Sequence, residues 1–100
     1  MHIDVCKLFC DLVETESFSG TAERHGVSQS AVSQKIRALE SHLNVALVER
    51  GRHRMRLTRE GEVYLNAAKK MLGIYETMHA DIEALQQEVS GTLKIATVLS

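Results

Sequence analysis

Residues 28–43 read SQSAVSQKIRALESHL, and Val32, Ile36, Leu39 and Leu43 recur along them in steps of four, three and four. That spacing predicts one apolar face of an α-helix. The other side carries Gln29, Ser30, Ser33, Gln34 and Arg37, with no acid until Glu40. A solvated helix face normally mixes Glu with Lys, so a surface of amides, hydroxyls and one guanidinium is unusual. Groups of this kind suit the edges of DNA bases and the phosphates beside them. The stretch is read as a recognition helix.

Working upstream, Ser28 is the expected N-cap of this helix, and Val27 is expected to enter the core. Gly26 can take the left-handed conformation that closes a preceding short helix, predicted over 19–25 with Ser19 as N-cap and Phe18 buried just before it. Two helices joined by about three residues centred on a glycine form a helix-turn-helix. A further helix is predicted over 3–16, with Ile3, Cys6, Phe9, Leu12 and Val13 on its apolar face and Asp4, Lys7, Asp11 and Glu14 largely outside it. His2, Cys6 and Cys10 are spaced four apart, but they are only three potential ligands and no second cluster completes a tetrahedral set. The cysteines are therefore read as small hydrophobes of the core stripe, with no metal.

Downstream, Asn44 ends the recognition helix. Residues 46–49 and 55–57 read as short extended segments flanking Arg50-Gly51-Arg52-His53-Arg54, a wing with a basic tip. Thr58 is the predicted cap of a long helix over 58–89, with Glu60 in its first turn where the helix dipole favours an acid. Leu65, Ala68, Leu72, Tyr75, Met78, Ile82, Leu85 and Val89 recur along it at threes and fours. Its length of about 48 Å, at about 1.5 Å per residue, exceeds what a small domain needs. The stripe is read as a dimer interface. Ser90-Gly91 is expected to stop the helix, and residues 92–98 have strand composition. The expected division is thus a DNA-binding domain over 1–58, a linker helix over 58–89, and over 90–100 a hinge and the first strand of a further domain.

The net charge of −1 hides a pattern. Residues 24–59 carry eight Lys or Arg against two acids, whereas one Lys faces five acids before them and three Lys face six acids after them. A basic middle between acidic flanks is a localised footprint of the sort a duplex requires. The opening residues have neither the basic start nor the apolar run of a signal peptide, and no apolar run reaches membrane-spanning length. A cytoplasmic protein without a membrane role is expected. No Gly-rich phosphate loop, H-E-x-x-H or nucleophile elbow is present, so neither an enzyme nor a cofactor is indicated.

The order of elements resembles the N-terminal part of LysR-type transcriptional regulators. The match is carried by Phe9, Ser17-Phe18-Ser19, Ala22-Glu23-Arg24, Val27-Ser28-Gln29-Ser30-Ala31-Val32-Ser33 and Ile36-Arg37-Ala38-Leu39-Glu40. It continues through Leu43, Val45, Leu47, Glu49-Arg50, Leu57-Thr58 and Gly61, and Gly91-Thr92-Leu93-Lys94-Ile95 looks like the opening of that family's effector domain. The resemblance implies a mainly α winged helix-turn-helix with a two-stranded wing and a long linker helix. It implies a homodimer on an interrupted inverted repeat in promoter DNA, with a tetramer and contact with RNA polymerase both open to the longer protein. Gln29, Ser30, Ser33 and Gln34 would then face bases. Ser28, Lys35, Arg37, Arg50, Arg52, His53 and Arg54 would approach the backbone or minor groove. Thr21, His25, Gly20 and Val48 depart from the usual Ala, Leu, longer side chain and Phe. Gln34 stands where a basic residue is common and could instead read adenine.

Overall fold

Phe9, Leu12, Val32, Ile36 and Leu47 have almost no exposed surface, and they come from three separate segments of the chain. In the computed structural model, which describes residues 3–51 and 55–99 with 89–99 as backbone alone, these side chains form one core. Around it lie α1 (Ile3–Thr15), α2 (Phe18–His25), α3 (Gln29–Leu43), β1 (Val48–Arg50), β2 (Met55–Leu57) and α4 (Arg59–Leu99). The strands pair antiparallel, Val48 with Leu57 and Arg50 with Met55. The fold is a mainly α winged helix-turn-helix carrying a long C-terminal helix.

The short helices end for local reasons. Gly26 (φ 65°) and Asn44 (φ 59°) are both left-handed. Beyond them the amides of Val27 and Val45 reach back to the carbonyls of Ala22 and Glu40, satisfying groups that each helix end leaves free. At the other end of α3, Ser28 Oγ accepts the Ala31 amide at 3.0 Å, as expected of its cap. The cap of α2 is Ser17 rather than Ser19. Glu16 takes a left-handed turn (φ 55°), Ser17 is extended, and its Oγ accepts the Gly20 amide at 2.9 Å. Phe18 consequently occupies the first helical position and is half-buried. Val27 and Leu43 stay 39% and 38% exposed, so the buried stripe of α3 is Val32, Ile36 and Leu39.

Asp11 departs most from expectation. It is buried between α1 and α2, where its carboxylate meets His25 Nε2 at 2.6 Å, Arg24 Nη1 at 3.2 Å and Lys7 Nζ at 3.6 Å. An isolated buried carboxylate would be costly, and here each oxygen has a partner from the next helix. Thr21, also fully buried, is satisfied in the same seam. Its hydroxyl donates to the Ser17 carbonyl at 2.7 Å and lies 2.8 Å from Thr15 Oγ1. Thus Thr21 and His25 come with polar partners on α1 and the connecting turn.

Across the domain α1 packs on the start of α4. Phe9 meets Tyr64 edge-to-face at 4.8 Å, and the Tyr64 hydroxyl donates to Cys6 Sγ at 3.6 Å. Cys6 is fully buried there, consistent with a hydrophobic role, while His2 lies outside the described residues. Thr58 caps α4 by accepting the Gly61 amide at 2.9 Å and donates its own hydroxyl to Ala46 O at 2.6 Å. The Leu47 carbonyl sits so close to Gly61 that a Cβ there would collide with backbone.

α4 differs from the sequence expectation in two ways. Ala68 is wholly buried and has no surface left for a second copy, while Leu65 and Leu72 are partly buried against the same core and keep part of theirs. Beyond Ser90-Gly91 the backbone remains helical to Leu99 instead of turning into a strand. A lone strand makes no hydrogen bonds without a neighbour, whereas each residue added to a helix gains one, which outweighs the cost of about 1 kcal/mol for a helical Gly.

Two consequences can be measured. Gly61→Ala should destabilise the domain by about 1–3 kcal/mol through overpacking, seen as a lowered Tm. At Asp11, burial raises the carboxyl, but the His25 hydrogen bond, the Lys7 charge and Arg24 outweigh it, leaving it below its ordinary 3.8. A depressed carboxyl contributes stability that is present above its unfolded pKa and lost as pH falls through the folded value. Asp11→Asn should therefore cost about 1–3 kcal/mol at neutral pH, with the gap in Tm narrowing below about pH 4. A gap that stays constant with pH would contradict the charged cluster.

Candidate nucleic-acid interface

Burying Val32, Ile36 and Leu39 fixes which side of α3 faces outward. At about 100° per residue, Gln29, Ser33, Arg37, Ser30 and Gln34 fall within a single arc of about 140°. Gln29, Ser30, Gln34 and Arg37 are exposed, and Ser33 is half-buried at the base of the arc. Ser28 caps the helix at the same end. The structure therefore brings the four expected base-facing residues together with Arg37. Lys35 is exposed too, but the helical period sets it on the opposite flank, away from Gln29 and Ser33.

The turn that presents this face is short and well determined. Gly26 has no neighbour within 4 Å of where a Cβ would lie, so its φ of 65°, and not crowding, is what favours glycine there. α2 is held at its C-terminal end by the Asp11 cluster and at its start by the Ser17 cap. The outward arc of α3 thus rests on a helix fixed at both ends.

The wing joins α3 through a carboxylate that sequence reading passed over. Glu40 Oε2 accepts the amides of Leu47 and Val48 at 2.8 and 3.2 Å, and its Oε1 accepts Arg50 Nη1 and Nη2 at 3.3 Å each. The Arg50 guanidinium also lies over the Phe18 ring, 5.4 Å from its centroid. Arg50, expected at the DNA backbone, is therefore engaged with its own protein on two sides. Arg52, His53 and Arg54 lie outside the described residues. One sequence signal pointed to Glu40: it is the only acid between Arg24 and Val48, and it stands seven to ten residues ahead of the strand whose groups it binds.

The description of a bacterial regulatory helix-turn-helix protein of the lysR family matches residues 3–62. The chain belongs to the LysR family. It is 39% identical over 87 residues to the HTH-type transcriptional regulator PtxR of Pseudomonas aeruginosa, and 38% identical over 96 residues to CysL of Bacillus subtilis. Those matches take in 87% and 96% of this LysR-family chain, which spans about a third of the relatives' length, 28% and 32% respectively. A crystal structure of the BenM DNA-binding domain with catB site 1 DNA superposes with a TM-score of 0.81 at 28% identity, covering 85% of this chain and 96% of that one. The CbnR DNA-binding domain in complex with DNA gives 0.79 at 28% identity, covering 85% and 98%.

α4 supplies a second surface. Ile74, Met78, Ile82 and Leu85 are 72, 44, 45 and 62% exposed, beside Tyr75 at 38%. Of these, Ile74 was not anticipated from the stripe. No helix among the described residues is long and apolar enough to cross a membrane. The side chain of Val89 lies outside the described residues.

The cap at the start of the arc is open to measurement. Ser28→Ala should cost about 1 kcal/mol of domain stability by freeing the Ala31 amide. Ser28→Asp should retain that stability, because it can still accept the amide. Equal Tm values for Ser28→Ala and the unaltered chain would contradict the cap.

Proposed function

We propose that this domain binds double-stranded DNA sequence-specifically, with α3 in the major groove and the wing on the backbone or adjacent minor groove. The observation that carries the reading is the outward face of α3 from Gln29 to Arg37, a stretch without acids in which neutral hydrogen-bonding groups stand beside Arg37. Gln29 and Gln34 offer the paired donor and acceptor that match adenine, and Ser30 and Ser33 can bond either groove edge. Ser28 and Arg37 hold phosphates, Lys35 on the opposite flank adds only to the general positive field, and Arg52, His53 and Arg54 supply the wing's charge. Specificity rests on neutral groups and affinity on charged ones. The division into a DNA-binding domain over 1–58 and a linker helix from 58 to 89 belongs to the same proposal.

Two copies pair through α4 beyond Leu72, where Ile74, Tyr75, Met78, Ile82 and Leu85 leave a run of apolar surface on a helix that has outrun its own core. A two-fold pair places two α3 helices on an interrupted inverted repeat, the symmetry of the site mirroring that of the protein. In the full-length protein this arrangement serves transcriptional regulation in the cytoplasm, with tetramers and contact with RNA polymerase as further steps. The relatives are named transcriptional regulators, which favours this over a catalytic role.

Gln29→Ala should lose discrimination at one or two base pairs, worth about 1–3 kcal/mol each, with little change on unrelated duplex. Arg52→Ala should weaken binding to all sequences alike and reduce the salt slope by about 0.9. Fluorescence anisotropy titrations on matched and substituted duplexes at several salt concentrations separate the two. Unchanged site preference in Gln29→Ala would remove the base-reading role from that residue.

A further inference from the structure

Three elements meet at one point of this fold. Phe18 opens α2, Glu40 lies in the last turns of α3, and Arg50 ends β1. The Glu40 side chain is 12% exposed and the Arg50 side chain 30%, so the pair is shielded but not dry. A single carboxylate receives four donors there: two backbone amides at the root of the wing on one oxygen and two guanidinium nitrogens on the other. The planar guanidinium fits this arrangement because it offers both nitrogens to one oxygen while its central carbon stays 5.4 Å from the centroid of the Phe18 ring.

We propose that Glu40 is a positioning residue that holds the wing and α3 in one rigid unit, and that Arg50 serves DNA binding through this lock and not as a phosphate ligand. The inference rests on the reading that both α3 and the wing touch the duplex. α3 ends at Leu43 and is followed by a left-handed Asn44. Between that turn and β1 the chain makes no strand pairing, and the amides of Leu47 and Val48 find their acceptor on Glu40. Without the carboxylate the amides of Leu47 and Val48 lose their side-chain tie to α3, and β1 is no longer held in a fixed position relative to the groove that α3 occupies. The contribution of the wing to affinity is therefore conditional on Glu40.

A double-mutant cycle on the 100-residue chain tests this. Binding to a fluorescein-labelled mixed-sequence duplex at low salt is measured for wild type, Glu40→Gln, Arg52→Ala and the double variant. Glu40→Gln is expected to lower affinity about tenfold, the scale of one lost charge-assisted contact. Arg52→Ala should then weaken binding markedly in wild type but hardly at all in Glu40→Gln, with the salt slope behaving likewise. Arg50→Lys should follow Glu40→Gln, although it keeps the charge. Equal factors for Arg52→Ala in both backgrounds, or full affinity in Arg50→Lys, would overturn the lock. Should Glu40→Gln fail to fold by circular dichroism, Arg50→Lys takes its place in the cycle. A wild-type chain that does not bind duplex overturns the DNA reading alone. In that event amide exchange decides the lock: Leu47 and Val48 must exchange faster in Glu40→Ala while Leu12 and Ile36 do not, and unchanged exchange at the wing root refutes it.

Discussion

Val32, Ile36 and Leu39 commit one side of α3 to the core, and the rest of the domain depends on that commitment. A helix of 15 residues has too few positions to be ambiguous about its rotation. Once those three side chains are buried against Phe9 and Leu12, the arc from Gln29 to Gln34 must point outward. α2 crosses behind α3 and the wing extends from its far end, so both take their placement from the same anchoring. The interface has little choice of shape, and its chemistry follows from which residues occupy the free positions.

Polar contacts then fix what apolar packing leaves loose. Burial of a leucine is indifferent to small slides of one helix along another, whereas a carboxylate with named partners is not. Asp11 ties α1 to the end of α2, and Glu40 ties α3 to the root of the wing. Asp11 collects donors at the end of α2, just before the turn, and Glu40 collects them at the root of the wing. The domain thus carries a hydrophobic centre braced by two charged clusters.

Much of this was legible in the sequence, and the remainder was hidden for physical reasons. The periodicity of α3, the Gly26 and Asn44 turns and the Ser28 and Thr58 caps are local signals, and each stands where it was expected. Asp11 and Glu40 were not recognised as structural, because an acid beside an apolar stripe looks solvated until the partner helix is placed. The α4 stripe was read as a dimer seam along its full length, since a helical repeat does not reveal whether its partner is the chain's own core or a second copy. Ala68 answers to the core, Leu65 and Leu72 are partly buried against it, and Tyr75, Met78, Ile82 and Leu85 remain exposed. The strand expected over 92–98 rested on composition alone, and composition has no force where no neighbouring strand is present.

The account as a whole holds that α3 reads bases and that α4 sets two such helices in symmetric register. Selecting bound sequences from a random duplex pool tests both at once. The account predicts enrichment of an interrupted inverted repeat whose two halves are separated by a constant spacing. Recovery of a pool no different from the starting one, at a salt concentration where the protein binds DNA, would contradict it.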